Sequence, residues 1–403
     1  MDHDQWIMRK FEPGCFHSSL PQALFRIDNH DFYTSFLSRT MRYPWLMLFP
    51  TLIRSFSVTK PKDLLFKFGF IADTQYADID DDYNFMRTKL RRHRHSLDIL
   101  RQAVDAFNHH GTDFNILLGD TLDGKSAGSN TQFQCLADIF QHTKRATGQF
   151  HYAFGNHDYY CFSREELFDQ MSPHFLHQSY HVLGGQCSPQ KLYYDFSPRE
   201  GWRFIMIDSY DVSLIGSSSE ANSRLAKDLL AEHNPNDLSK SGGWFKNLPL
   251  QNYRYVPYNG GVSEEQLDWL ERVVRQSYER GENILCFSHQ PVFAPYKPQS
   301  VIWNSEAILS VLHRYGNTRL WMAGHDHDGQ SSVDSAGVFH LVPPAPLECE
   351  YGQTAFGFME VYPNELRMQW TGKLPLSPNN PWPSRIPAHS LADGSFEMSK
   401  SSF

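Results

Sequence analysis

No apolar run in this sequence is long enough to cross a bilayer, which takes ~18–20 residues. The longest candidate, Pro44–Ile53, is shorter and is interrupted by Pro50. No membrane partner is expected. Cys-x-x-Cys spacing is also missing. Six cysteines (Cys15, Cys135, Cys161, Cys187, Cys286, Cys349) are scattered through 403 residues. A chain of this length needs no disulfide framework, so free thiols in a reducing, cytoplasmic setting are the simplest reading. There is no Lys/Arg block, and the net charge is −8. A nucleic-acid partner is therefore not expected.

Acidic residues are absent between Tyr33 and Lys62, a stretch rich in Ser, Thr and Arg that contains Met41. Its composition is that of a mitochondrial presequence, but an acidic segment precedes it. Residues 1–62 are read as an N-terminal extension, either disordered or targeting. What remains is ordinary for a folded protein: 40% hydrophobic and 20% charged residues, enough for a large core.

From Leu64 onward, short apolar runs alternate with helical spacing, which indicates α/β architecture. LLFKFGFIAD, Phe114–Leu118 and QFHYAF read as strands. Between them, Leu97, Leu100, Val104 and Phe107 mark a helix stopped by Gly111, and a second runs from about Thr131 to Lys144. Residues 162–200 look like surface insertions, followed by paired strands around Leu192–Phe196 and Trp202–Ile207. A long insertion is expected over 216–256. Ser263-x-x-Gln266 reads as a capping box, opening a helix with Leu267, Leu270, Val274 and Tyr278 on one face. Asn283–Phe287 and Thr318–Ala323 are strands flanking a helix from Asn304 to about Tyr315. Phe356–Tyr362 and Leu366–Trp370 close a domain of residues 63–372. The Pro- and Ser-rich tail 373–403 is expected to lie outside the core.

Five strand ends finish in residues that bind metals: Asp73-Thr-Gln75, Gly119-Asp120-x-x-Asp123, Gly155-Asn156-His157-Asp158, Ser288-His289 and Gly324-His325-x-His327. Ligands of open α/β sheets gather beyond the carboxyl ends of strands. The glycines at 119, 155 and 324 would let the chain turn sharply there. Side chains two apart, as in His325 and His327, face the same way in extended chain. The donors are oxygens (Asp73, Gln75, Asp120, Asn156) and imidazoles (His289, His325, His327), with no thiolate. That mixture suits Mn²⁺, Mg²⁺, Fe²⁺ or Zn²⁺. Seven donors exceed one tetrahedral ion and fit two divalent ions sharing a carboxylate.

The pattern resembles the calcineurin-like metallophosphoesterase superfamily from about Phe66 to Trp370. The resemblance implies an αββα sandwich of two mixed sheets flanked by helices. It also implies Asp73, Gln75 and His327 on one metal, Asn156, His289 and His325 on the other, and Asp120 bridging. His157 would act on the scissile phosphate or its leaving group, oriented by Asp158. Most of the superfamily has His where this chain has Gln75, a harder and weaker donor that favours Mn²⁺ or Mg²⁺. The words FGFIADTQYAD, RHSLDIL, GNHDYYCFSR, MIDSYDVSLIG, EHNPN, YNGGVSEEQLDWL and AGHDHDGQ look like the manganese-dependent ADP-ribose/CDP-alcohol diphosphatases.

That resemblance implies a hydrolase of nucleoside diphosphate esters such as ADP-ribose and CDP-choline; a monomer is the separate expectation. A phosphoprotein phosphatase, a cyclic-nucleotide phosphodiesterase and a non-catalytic binding module are the alternatives. For the substrate pocket, Tyr83 and Phe85 are candidates to stack on a base, against a reading as core aromatics. Asn259 and Gly260 are candidates to meet phosphate, against a plain turn before Ser263.

Overall fold

The computed structural model describes residues 63–175, 187–240, 242–375 and 382–388. The extension 1–62 and its presequence-like stretch lie outside these residues. Twelve strands build two six-stranded sheets. In chain order they are β1 (Phe66–Ile71), β2 (Phe114–Leu117), β3 (Gln149–Tyr152), β4 (Tyr194–Arg199), β5 (Trp202–Met206), β6 (Asn283–Phe287), β7 (Thr318–Met322), β8 (Gln330–Val333), β9 (Phe339–Val342), β10 (Ala355–Tyr362), β11 (Glu365–Gly372) and β12 (Arg385–Pro387). The first sheet runs β12-β11-β10-β1-β2-β3 and the second β8-β9-β7-β6-β5-β4. Both are mixed: β1 is parallel to β2 and antiparallel to β10, and β5 is parallel to β6 and antiparallel to β4.

Period-two alternation sets the layers. Phe66 and Phe68 point between the sheets. The Phe68 ring stacks on Phe114 at 5.6 Å and meets Phe204 and Phe287 edge-on at 5.2 and 5.9 Å. Gly69 faces the other way, where a Cβ would lie 2.7 Å from Phe107 of the helix His93–His110. That helix ends at Gly111, whose φ of 66° is the left-handed cap expected of glycine. On the outside of the second sheet, Ile205, Ile284, Cys286 and Trp321 pack under the helices Glu264–Glu279 and Ser305–Tyr315. The expected αββα sandwich is what the chain forms.

Four local expectations change. Ser263 does cap the helix, accepting from Gln266 N at 3.2 Å. The reciprocal bond, however, comes from Asp211, which accepts from Ser263 N at 3.0 Å. Gln266 instead brackets Asp208, accepting from its N and donating to its O, both at 3.0 Å. With Gln266 turned inward, the buried face is Trp269, Leu270, Val273 and Val274; Leu267 and Tyr278 are not among its buried residues.

Residues 162–200 are not all surface. Arg164 is buried, paired to Asp208 at 2.6 Å and donating to Gly216 O at 2.6 Å. Nor does all of the tail stay outside: within its described residues 382–388, β12 pairs antiparallel with β11, and Ile386 is fully buried. No helix among the described residues is long and apolar enough to cross a membrane.

Candidate metal centre and cavity

Past the ends of the parallel strands the chains stay bonded to one another. Asp73 N donates to Gly119 O at 3.2 Å and Gln75 N to Asp120 O at 2.8 Å. Ser288 N donates to Met322 O and Gly324 N to His289 O, at 3.2 and 2.8 Å. Two bonds then cross from sheet to sheet. His289 Nδ1 donates to Leu118 O at 2.9 Å, and His325 N lies 3.0 Å from both oxygens of Asp73. The strand-end loops are thereby gathered at the seam between the sheets. Asp73, Asp120 and His289 each place a ligand atom within 4.8 Å of the others.

Strain concentrates at this seam. Asp73, Gln75, Asp120 and His325 have positive φ of 46°, 41°, 49° and 70°, a region that costs a non-glycine residue on the order of 1–3 kcal/mol. The three glycines divide by cause. Gly119 has φ of 87°. Gly155 and Gly324 do not, and are glycines because carboxylates press on them. A Cβ would lie 2.1 Å from Asp120 Oδ1 at Gly155, and 2.5 Å from Asp73 Oδ2 at Gly324.

The imidazole lone pairs reveal what the centre suits. His289 uses Nδ1–H on Leu118 O, so Nε2 carries the lone pair. His325 uses Nε2–H on Asn259 Oδ1 at 2.8 Å, so Nδ1 carries it. These two nitrogens face each other at 3.1 Å. Burial holds the His289 pKa down to about 4. Burial, then His289, holds His325 well below the usual value. Neither ring readily supplies a proton to share, so two lone pairs converge.

His327 repeats the arrangement. Its Nδ1 donates to Glu348 Oε1 at 2.9 Å, and Nε2 faces Asp73 Oδ1 at 3.6 Å. Gln75 Nε2 donates to Asp120 Oδ2 at 2.8 Å and sits 2.9 Å from His327 Nε2. Its Oε1 is buried without a hydrogen-bond partner. A half-turn of this nearly isosteric amide directs Oε1 at the carboxylate and imidazole donors. Burial, then the charge of Asp120, raises Asp73 well above the carboxylate range, and burial takes Asp120 to about 7. Converging lone pairs, an orphaned amide oxygen and two buried carboxylates fit divalent cations.

Asn156 Oδ1 is 3.3 Å from His289 Nε2 and accepts from Tyr210 Oη at 3.2 Å. His157 Nδ1 accepts from Gly124 N at 3.1 Å and lies 3.3 Å from Asp123 Oδ2. Asp158 does not orient that ring. Its oxygens accept from Thr121 N and Gly155 N, both at 2.9 Å, binding the second and third loops together. Asn259 and Gly260 do not line the cavity. The Asn259 amide is consumed by His325, Arg254 O and Gln299 O, and Gly260 N donates to Gln290 at 3.3 Å.

The centre forms the floor of a cavity of about 760 Å³. Tyr83 and Phe85 line it and are 47% and 57% exposed, so they are not core. Trp244, Phe245 and Tyr258 line it as well. Trp244 and Phe245 come from the 216–256 insertion and carried no sequence signal. Glu348 was likewise silent, whereas Tyr210 stood within the word MIDSYDVSLIG and Asp123 within the Gly-Asp-x-x-Asp word.

Residues 66–329 match the family model described as calcineurin-like phosphoesterase. A manganese-dependent ADP-ribose/CDP-alcohol diphosphatase from Danio rerio is 34% identical over 322 residues, spanning 78% of this chain and 97% of that protein. Proteins of the same name from Arabidopsis thaliana and Homo sapiens are each 33% identical, over 77% and 79% of this chain and 95% and 94% of their own. A solved dimetal phosphatase from Danio rerio has a TM-score of 0.70 and 33% identity, covering 78% of this chain and 98% of that one.

Proposed function

Because this chain belongs to the calcineurin-like phosphoesterase family, we propose that it is a dimetal hydrolase of nucleoside diphosphate esters. Its products are a nucleoside monophosphate and a phospho-alcohol or phospho-sugar, as the names of its relatives indicate. The observation that carries this reading is the convergence of imidazole lone pairs and buried carboxylates on the floor of an aromatic-walled cavity. About 760 Å³ is ample for a nucleotide ester, since pockets for such ligands run roughly 300–1,000 Å³.

Asp73, Gln75 through Oε1, and His327 would hold one ion, Asn156, His289 and His325 would hold the other, and Asp120 would serve both. Manganese is the expected metal and magnesium the alternative. When bound, the pair neutralises pyrophosphate charge and activates water.

His157 Nδ1 accepts from Gly124 N–H, so the proton of the neutral ring sits on Nε2, the atom that would donate to the leaving phosphate. Asp123 stands ready to accept from Nδ1 when the ring carries two protons. Tyr83 and Phe85 face the cavity as stacking surfaces for the base. His157→Ala should lower kcat on the order of 10²-fold and leave manganese content, read by atomic absorption, near two ions per chain. Loss of metal would make His157 a ligand.

The test is a panel of ADP-ribose, CDP-choline, cyclic AMP and a phosphopeptide, with Mn²⁺ and then Mg²⁺. AMP and CMP are the expected products from the first two. Turnover confined to cyclic AMP or the phosphopeptide would refute the assignment.

A further inference from the structure

The antiparallel pair Asp82–Tyr83 and Leu90–Arg91 forms a hairpin whose tip carries Phe85 and Met86 into the cavity. Asn84 Oδ1 closes that tip, accepting from Thr88 N at 2.8 Å and Lys89 N at 3.2 Å. Lys89 then reaches out of the hairpin to two carboxylates. One is Asp328, with which it forms an ion pair, and whose other oxygen lies 2.9 Å from Lys297 Nζ. The second is Glu348, with Oε2 3.2 Å from Lys89 Nζ.

Glu348 ends the turn Pro346–Glu348 with its side chain 5% exposed, and its Oε1 accepts from His327 Nδ1 at 2.9 Å. A continuous path therefore runs from the aromatic hairpin through Lys89 and Glu348 to the His327 ring. A carboxylate on the outer nitrogen of a ligating imidazole fixes its tautomer and aims the inner one.

We propose that Lys89 and Glu348 are positioning residues that couple the substrate-facing hairpin to the His327 metal position. Glu348 keeps His327 Nε2 directed inward. Lys89 ties the hairpin to the same carboxylate, so ordering at either end favours ordering at the other, as linkage requires. The proposal rests on the metal and substrate assignment above and extends it to how the hairpin is held.

Hydrogen exchange of the hairpin amides with and without Mn²⁺, together with calorimetric Mn²⁺ titration, tests the coupling without any turnover. In the wild-type protein, Mn²⁺ should slow exchange across 84–91. Lys89→Met should make exchange there fast and indifferent to Mn²⁺, and Lys89→Arg should restore the protection. Glu348→Ala should weaken the looser Mn²⁺ by roughly 10–100-fold. Glu348→Gln keeps an acceptor for His327 but offers Lys89 no charge. It should hold Mn²⁺ within about threefold of wild type and still uncouple the hairpin.

In steady state, Lys89→Met should raise KM for ADP-ribose about tenfold with a smaller change in kcat. Wild-type exchange in Lys89→Met, or wild-type Mn²⁺ affinity in Glu348→Ala, would overturn the proposal. Failure of the wild-type protein to cleave ADP-ribose or CDP-choline would count against the function. It would leave the exchange and titration results to decide the coupling.

Discussion

A carboxylic acid buried with no cation beside it holds its proton more tightly, and Asp120 is held at about 7 in this way. Asp73 beside it is also raised, by burial and by the charge of Asp120. The histidines behave oppositely, since burial keeps His289 and His325 neutral. Metal uptake near neutral pH therefore has to displace protons from carboxyls and none from these two imidazoles. At pH 6, Mn²⁺ binding should release at least one proton. Release should fall, and affinity rise, as pH passes through 7 toward 8. Calorimetry in buffers of different ionisation enthalpy reads the count, and uptake without proton release at pH 6 would contradict the Asp120 assignment. At this scale, donor identity was legible because the donors cluster just after apolar runs, three of the five runs ending in a glycine. The partners were not. Asp158 stands next to His157 in sequence, yet its bonds go to backbone amides, whereas the carboxylate near the ring is Asp123. Adjacency along a helical turn does not fix which way two neighbouring side chains point.

Strand ends position these donors only if neighbouring loops can touch, and the glycines set how closely. Gly155 opens the short helix Asn156–Cys161, where His157 N donates to Asp120 Oδ1 at 2.8 Å. A methyl group at Gly155 would meet that oxygen, and the backbone N of Asp120 at 2.7 Å. Gly155→Ala should therefore displace Asp120 or lift the helix. We expect Mn²⁺ affinity to fall by at least tenfold, with global stability lowered by about 1–3 kcal/mol, typical of overpacking. Mn²⁺ titration beside urea unfolding checks both, and unchanged affinity would mean that the loop yields freely. Strand positions were readable from apolar runs ending in glycine. The face of the helix Glu264–Glu279 was not, because Gln266 turns inward to bracket Asp208 and rotates Trp269 and Val273 onto the sheet. A hydrophobic count treats Gln266 as solvent-facing and misses that demand.

Across the whole molecule, the two sheets differ in how they end. The first closes on β12, a strand of three residues that covers the edge of β11. Its one apolar side chain, Ile386, is fully buried, and Trp382 meets Trp370 at 5.3 Å. The Pro- and Ser-rich composition around it reads as loop, because a single apolar residue gives no periodicity and main-chain pairing to a sheet edge leaves no mark in the sequence. The domain therefore extends past residue 372. An uncovered edge is also a template for pairing with other chains. Removing residues 376–403 should lower unfolding stability by about 2–4 kcal/mol, the scale of one buried isoleucine and part of a tryptophan. It should also promote association at higher protein concentration. The metal-bearing loops follow β1, β2, β3, β6 and β7, and β12 is separated from β1 by two intervening strands. Mn²⁺ affinity below the unfolding transition should therefore stay within about twofold, since distant, independent sites are nearly additive. A urea midpoint identical to that of the full chain would show that β12 merely lies against the sheet. A matching loss of Mn²⁺ affinity would show that the edge and the metal centre share one cooperative unit.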